Sequence, residues 1–237
     1  MSNPSSHSLP EKHPKQDFQV ERIAFFSDAV FAIAITLLVL ELKPPIITKS
    51  TTYAELWPEL VELKWKIASL LFSFILIITY WMRHHTLFKH IHNYNKQIVI
   101  ANMLLLLPII FFPFTTAFYY ENIASENDLI IVPFRFYMLN NVLAGLSTYF
   151  FYWTVMKRYK EMSTPMPEKE TKLFEERLVI LTITFLLVFI ISFFSFELSL
   201  IGLLPIVIYK GYSKFTANKK RTPKKITHAE QNDSATD

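Results

Sequence analysis

An aspartate lies inside a long apolar segment near the start of this sequence. Between Ile23 and Leu40, the only polar side chains are those of Ser27, Asp28 and Thr36. A carboxylate one or two helical turns inside a membrane helix is costly to bury, so it is usually partnered and often functional. Taken alone, Asp28 fits a proton or ion relay as well as it fits a structural hydrogen bond.

Three side chains with matching chemistry end the next apolar segment, namely Trp81, His84 and His85. An indole N–H and imidazole N–H groups can satisfy a buried carboxylate. Serine, histidine and aspartate are also the residue types of a hydrolase triad, but no nucleophile elbow or oxyanion-hole motif accompanies them. We therefore favour a structural network over a catalytic one and predict that the protein is not an enzyme.

Four histidines follow one another between residues 83 and 97: His84, His85, His90 and His92. Their spacing is not that of common metal sites, and the chain has no cysteine. We predict solvated linker histidines, no bound metal and no cofactor.

The elements that position these residues are long apolar runs, which favour an all-α membrane protein over a soluble one. A run of about eighteen helical residues covers about 27 Å, close to the thickness of a bilayer's hydrocarbon core. Proline, charge clusters and polar loops separate the runs. We predict six transmembrane helices within a domain of residues 19–215, at about 20–42, 54–82, 97–120, 129–156, 175–195 and 197–215, the last being the least regular.

The charges outside these helices predict the topology. Residues 1–18 have the composition of a disordered tail, and residues 216–237 form a basic tail. With six spans, nineteen of the 24 lysines and arginines fall on the side of both tails. The positive-inside rule then places both termini in the cytoplasm. The basic tail is explained by topology and by contact with anionic lipid, so no nucleic-acid partner is predicted.

One face of the first helix is a ladder of aliphatic side chains. At 100° per residue, Val30, Ile33, Leu37 and Leu40 share a stripe with Thr36 at its edge, while Asp28 points elsewhere. Such a stripe either packs against neighbours or lipid, or faces its own copies as a hydrophobic constriction. Periodicity does not decide between the two.

Three motifs resemble those of the transmembrane protein 175 family, which comprises the potassium channels of endosomes and lysosomes and their prokaryotic relatives. The first is Arg22-x-x-x-Phe26-Ser27-Asp28, and the second is Trp81-x-x-His84-His85-x-x-Phe88. The third is Asn102 with the Leu-Leu-Leu-Leu-Pro108 run after it and Pro113-Phe114-Thr115 further on. The motifs cover most of residues 20–120; beyond residue 130 the resemblance is one of architecture.

The resemblance implies a single-repeat prokaryotic member that forms a homotetramer in the plasma membrane. Four first helices would line the pore without a pore loop, and Ile33 would form the narrowest layer, followed by Thr36, Leu37 and Leu40. Arg22, Phe26, Ser27, Asp28, Trp81, His84 and His85 would hold this helix in place. Only three glycines are present, so a carbonyl-lined potassium filter cannot be built, and the resemblance implies none.

Our hypothesis is therefore a potassium-permeable cation channel with a hydrophobic constriction of side chains. The alternative is a proton-coupled secondary transporter in which Asp28, His84 and His85 form the relay. The two differ in whether flux requires a proton gradient.

Overall fold

A computed structural model describes residues 14–122, 128–205 and 208–209 of the 237-residue chain. The described residues are mostly helical, as predicted, and their only β contact is an isolated bridge between Ile91 and Ser163. Five long helices are present in this part of the chain: α1 Pro14–Leu40, α2 Tyr53–Phe88, α3 Lys96–Tyr120, α4 Ile131–Trp153 and α5 Glu168–Ile191.

The first three helices follow the predicted order with two extended ends. α1 begins at Pro14, so the last residues of the predicted disordered tail are helical; residues 1–13 lie outside the described residues. α2 continues to Phe88 instead of ending at residue 82, which places His84 and His85 in the helix rather than in a linker. The start of α3 is fixed by Asn95, whose side chain accepts a hydrogen bond from the Ile98 N–H at 2.9 Å.

The largest departures from the predicted boundaries are at the carboxyl end. α5 begins at Glu168, directly after Pro167, because acidic residues in the first turn are favoured by the helix dipole. The predicted sixth helix is not continuous: α6, Phe196–Ser199, is followed by the 3₁₀ turn Leu200–Leu203. A Cβ on Gly202 would lie 2.7 Å from the backbone nitrogen of Val188, so this glycine lets the turn pack against α5. The predicted basic tail, 216–237, lies outside the described residues.

The helices pack around α3, which contacts α1, α2 and α4, while α5 packs on the far side of α4. Fully buried side chains at the centre of the bundle come from three helices, namely Ile77, Tyr80, Ala101, Ile109, Phe112 and Phe151. α4 and α5 approach closely at Gly145, where an added Cβ would lie 2.3 Å from the Thr182 hydroxyl oxygen. Small residues at helix crossings are typical of membrane bundles.

Two of the described helical segments are long and apolar enough to cross a membrane, on length and composition. They are Phe18–Leu40 and Lys96–Tyr120, with mean hydropathies of 2.4 and 2.3. α2 and α5 begin with charged turns, and their uncharged stretches are limited to 67–82 and 178–191. Six membrane crossings with both termini in the cytoplasm stay a prediction.

The linker between α2 and α3 is bonded to the linker between α4 and α5. The His92 N–H donates to the Met162 carbonyl at 3.1 Å, and the Thr164 N–H donates to the His90 carbonyl at 2.7 Å. We call these joined linkers, residues 89–95 and 159–166, the strap. It fixes the ends of four helices relative to one another.

Candidate functional site

The two sides of α1 have different environments. Phe31, Ala34 and Leu38 face the bundle and are only 1–2% exposed, whereas Ile33 is 57% exposed and Leu40 is 75% exposed. α1 packs on α2 and α3, so one side of the helix is left uncovered within the chain. We call the buried side the inner face and the uncovered side the outer face of α1.

All four residues predicted to line a pore lie on the outer face: Ile33, Thr36, Leu37 and Leu40. Thr36 donates its hydroxyl hydrogen to the Ile33 carbonyl at 2.8 Å. The hydroxyl oxygen keeps lone pairs that a cation passing this face can meet. Between Ile33 and Leu40, the predicted pore residues of the outer face are thus aliphatic except for Thr36, which offers one hydroxyl oxygen per chain.

Among the described residues, the Asp28 side chain has one hydrogen-bond partner. The Trp81 Nε1–H donates to its Oδ1 at 2.9 Å, and the carboxylate is half-buried between α1 and α2. His85 stacks on the Trp81 ring at 5.6 Å between centroids and is itself exposed. His84 bonds elsewhere. Of the three predicted donors, the structure brings only Trp81 to the carboxylate.

Ser27, Asn102 and His84 form a fully buried chain of hydrogen bonds across α1, α3 and α2. The Ser27 hydroxyl donates to the Ile23 carbonyl at 2.9 Å and accepts from the Asn102 Nδ2 at 2.9 Å. Asn102 Oδ1 lies 2.9 Å from His84 Nε2. Since Oδ1 can only accept, His84 must carry its proton on Nε2. The direction of every bond in this chain is therefore determined.

The other nitrogen of His84 has no partner among the described residues. Nδ1 is buried, and the imidazole lies among the rings of Phe31, Phe88 and Phe151, with centroids 4.4–5.9 Å away. A lone pair against aromatic rings is tolerated better than an unpaired cation would be. The prediction of solvated linker histidines is thus wrong for His84, because α2 carries this residue into the core.

Arg22 and Phe26 are not joined to this network within one chain. Both are exposed on the outer face, and Arg22 makes no hydrogen bond or ion pair with the residues described. With Gln19 and Tyr94 they border a cavity of about 420 Å³ between α1 and the start of α3. Their proposed role in holding α1 stays a prediction.

Asn102 is the member of the candidate site whose role sequence reasoning missed. It appeared there only as part of a motif, without a role. A signal was available, because Asn102 carries an amide within a predicted helix that has no charged side chain after Lys96. A polar side chain inside a membrane helix usually hydrogen-bonds to a neighbouring helix. Its two partners could not be identified, because the registers of α1 and α2 against α3 are set by packing.

A second buried polar cluster lies further along the same helices. The Thr116 hydroxyl donates to Ser73 Oγ at 2.8 Å, and Ser73 Oγ lies 2.9 Å from the Tyr137 hydroxyl. Tyr80 donates to the Asn141 carbonyl at 3.2 Å. This cluster joins α2, α3 and α4 away from α1, so it fixes the scaffold rather than the outer face.

No group of three or more potential metal ligands meets within the described ranges.

The chain is similar in sequence and in fold to known potassium channels. Residues 22–113 match the family described as "Endosomal/lysosomal potassium channel TMEM175". The fold matches the crystal structure of a lysosomal potassium-selective channel TMEM175 homologue from Chamaesiphon minutus, with a TM-score of 0.65 and 28% sequence identity; the match covers 83% of this chain and 98% of that one. Over residues 22–113 the chain is similar to the TMEM175 family.

Two curated relatives show how far the sequence similarity extends. A potassium channel of Streptomyces collinus is 33% identical over 44% of this chain and 50% of its own length. A potassium channel of Chamaesiphon minutus is 37% identical over 44% of this chain and 50% of its own length. The chain thus aligns with about half the length of each relative.

The family match includes every residue of the outer face from Arg22 onward and the whole Ser27–Asn102–His84 chain. α4 and α5 lie outside it. The structural match of the fold extends much further than the sequence match does. The similarity in sequence is therefore concentrated in α1, α2 and α3, the helices that build the candidate site.

Proposed function

We propose that this protein is a potassium-permeable cation channel of a prokaryotic plasma membrane, formed by four copies whose α1 outer faces line the pore. The observation that carries the proposal is the contrast between the faces of α1. One face is fixed by buried hydrogen bonds, and the other presents Ile33, Thr36, Leu37 and Leu40, which no helix in the described part of the chain covers. The relatives named potassium channels support the choice of ion.

Four copies of Ile33 would form an aliphatic ring, with Leu37 and Leu40 forming further rings. Such a constriction disfavours water and requires an ion to lose part of its hydration shell. Potassium is hydrated less strongly than sodium, so it loses less on entry. The Thr36 hydroxyl oxygen replaces part of the lost hydration on the same stripe. Selectivity would then come from side chains rather than from backbone carbonyls.

The hydrogen bonds around α1 argue against the proton-coupled transporter. A proton relay needs a path whose donors and acceptors can reverse. The chain His84–Asn102–Ser27 ends at the Ile23 carbonyl on one side and at His84 Nδ1, among aromatic rings, on the other. Asp28 is bonded to the Trp81 indole, which donates only. These groups hold helices together without offering a route for protons.

The first experiment is the reversal potential of the purified protein in a planar bilayer with potassium on one side and sodium on the other. A current that reverses toward the potassium equilibrium potential is expected. Flux that appears only under a proton gradient would instead support the transporter. Native mass spectrometry of the same preparation tests the tetramer.

The pore assignment is tested by Ile33→Asn, which replaces the aliphatic ring with amides. We expect the potassium-over-sodium permeability ratio to fall toward one, because the ion can now exchange water for amide oxygens. The matched control is Val39→Asn on the same helix. Val39 is 59% exposed, like Ile33, but lies about 120° around α1. An unchanged ratio in Ile33→Asn, or an equal fall in Val39→Asn, would contradict the assignment.

A further inference from the structure

Two arginines mark the same level at one end of the bundle. Arg83 is the first charged residue after the uncharged stretch 67–82 of α2, and Arg177 directly precedes the uncharged stretch 178–196. Cationic side chains at the ends of apolar helices lie at the boundary between hydrocarbon and headgroups. Because the two stretches end side by side, the arginines share one boundary.

The structure brings these residues into contact but leaves their charges without a counterion. Arg83 Nη2 donates to the backbone carbonyl of Arg177 at 3.0 Å. Arg83 Nη1 is buried without a hydrogen-bond partner. Neither guanidinium takes part in an ion pair with any residue that the structure describes. Glu170 lies in the same region, but farther away than an ion pair allows.

An open cavity of about 390 Å³ adjoins both arginines, between α2 and α5. The rest of its wall combines the apolar side chains of Met82, Met166, Leu173 and Phe174 with Thr79, Thr86 and Glu170. Two neighbouring positive charges without a counterion are unfavourable. An anion in this cavity would offset their repulsion through the parts of the two arginine side chains that line it.

We propose that this cavity binds the phosphate group of an anionic phospholipid. Guanidinium groups bind phosphate oxygens through paired, charge-assisted hydrogen bonds. The methionine, leucine and phenylalanine side chains offer an apolar surface on which the first part of the acyl chains can pack. Basic pockets between helices at the cytoplasmic boundary are suited to such headgroups. A soluble phosphate would use the arginines but gain nothing from the apolar wall.

The test uses the full-length protein in a mild, uncharged detergent. Phosphatidylglycerol, phosphatidylcholine or glycerol 3-phosphate is added, and lipid retention is measured by native mass spectrometry alongside the midpoint of thermal unfolding. We expect phosphatidylglycerol to be retained and to raise the midpoint, and phosphatidylcholine to do so much less. Arg177→Gln should weaken retention of phosphatidylglycerol about fivefold, and Arg83→Gln by at least as much.

Arg177→Gln keeps the test valid if Arg83→Gln does not fold, because Arg83 bonds the backbone of residue 177 and not its side chain. Lys172→Gln is the matched control: it removes the same charge from α5 at a side chain that is 68% exposed. Every variant has the same lysines near the carboxyl terminus, so any lipid that they bind does not affect the difference in retention between variants. Equal retention in Arg177→Gln and Lys172→Gln, or equal retention of the two lipids, would overturn the proposal. A shift by glycerol 3-phosphate alone, equal to that by the lipid, would assign a soluble anion instead.

Discussion

The inner and outer faces of α1 use the same helix for opposite purposes. The inner face combines aliphatic and aromatic packing with Ser27, which is bonded in both directions, and Asp28 at its edge. The outer face carries side chains of similar hydrophobicity, yet none of the predicted pore residues bonds to another helix. In a bilayer, apolar surface alone does not bring helices together, since lipid is equally apolar. What distinguishes the two faces is therefore directional bonding, not hydrophobicity.

The largest effect on the bonding of the inner face is expected from Asn102→Leu. The substitution removes the amide that joins Ser27 to His84, so the His84 Nε2–H loses its acceptor and Ser27 keeps only its bond to the Ile23 carbonyl. We expect the free energy of unfolding to fall by about 2–4 kcal/mol, since an unpaired buried group costs about 1–3 kcal/mol and a lost hydrogen bond about 0.5–1.5 kcal/mol. Chemical denaturation in detergent measures the change.

Asn102→Leu has a matched comparison on the outer face. Thr36→Val also removes a side-chain hydrogen bond, but that bond is local and exposed. If the two substitutions destabilise the protein equally, the inner face has no special role in holding α1.

An intermediate effect is expected from Asp28→Ala. The Trp81 indole then loses its acceptor while the rest of the inner face is kept. The free energy of unfolding should fall by about 1.5–3 kcal/mol, as expected for a hydrogen bond to a charged group, and the monodisperse peak on size exclusion should shrink. Trp81→Phe removes the same bond from the other side. The double variant should lose clearly less free energy of unfolding than the sum of the losses in the two single variants. If the two losses add fully, the bond between Asp28 and Trp81 contributes nothing.

The smallest effect is expected from Thr36→Val, which should alter ion permeation slightly and leave the fold intact. It deletes the one hydroxyl among the predicted pore residues, so the potassium conductance should decrease modestly, while Thr36→Ser should restore it. Single-channel recordings of both variants measure this. A conductance that does not differ between valine and serine would place Thr36 outside the permeation path.

Periodicity and composition were sufficient for part of this molecule. The stripe through Ile33 and Leu40 could be predicted because both periodicity and exposure follow the 100° step of a helix. The bounds of α3 were predicted closely because Asn95 and the uncharged stretch after it are local features. The contact between Asp28 and Trp81 was anticipated because a donor and an acceptor end neighbouring apolar segments.

Other features depend on the relative positions of helices, which local patterns do not encode. The partner of His84 changes if α2 slides or turns by one residue against α3, so Asn102 could not be paired with it from the sequence. The break after α5 depends on how closely residue 202 approaches Val188. The membrane crossings of α2, α4 and α5, and the assembly of four copies, stay predictions for the same reason.

The strap has a mechanical consequence. Hydrogen bonds between His92 and Met162, and between Thr164 and His90, close the α2–α3 and α4–α5 turns into a single ring of backbone. The two hairpins therefore cannot separate at this end unless both hydrogen bonds break. Because α3 begins directly after the strap and its Asn102 bonds Ser27 of α1, the strap also fixes the start of the helix on which α1 is held.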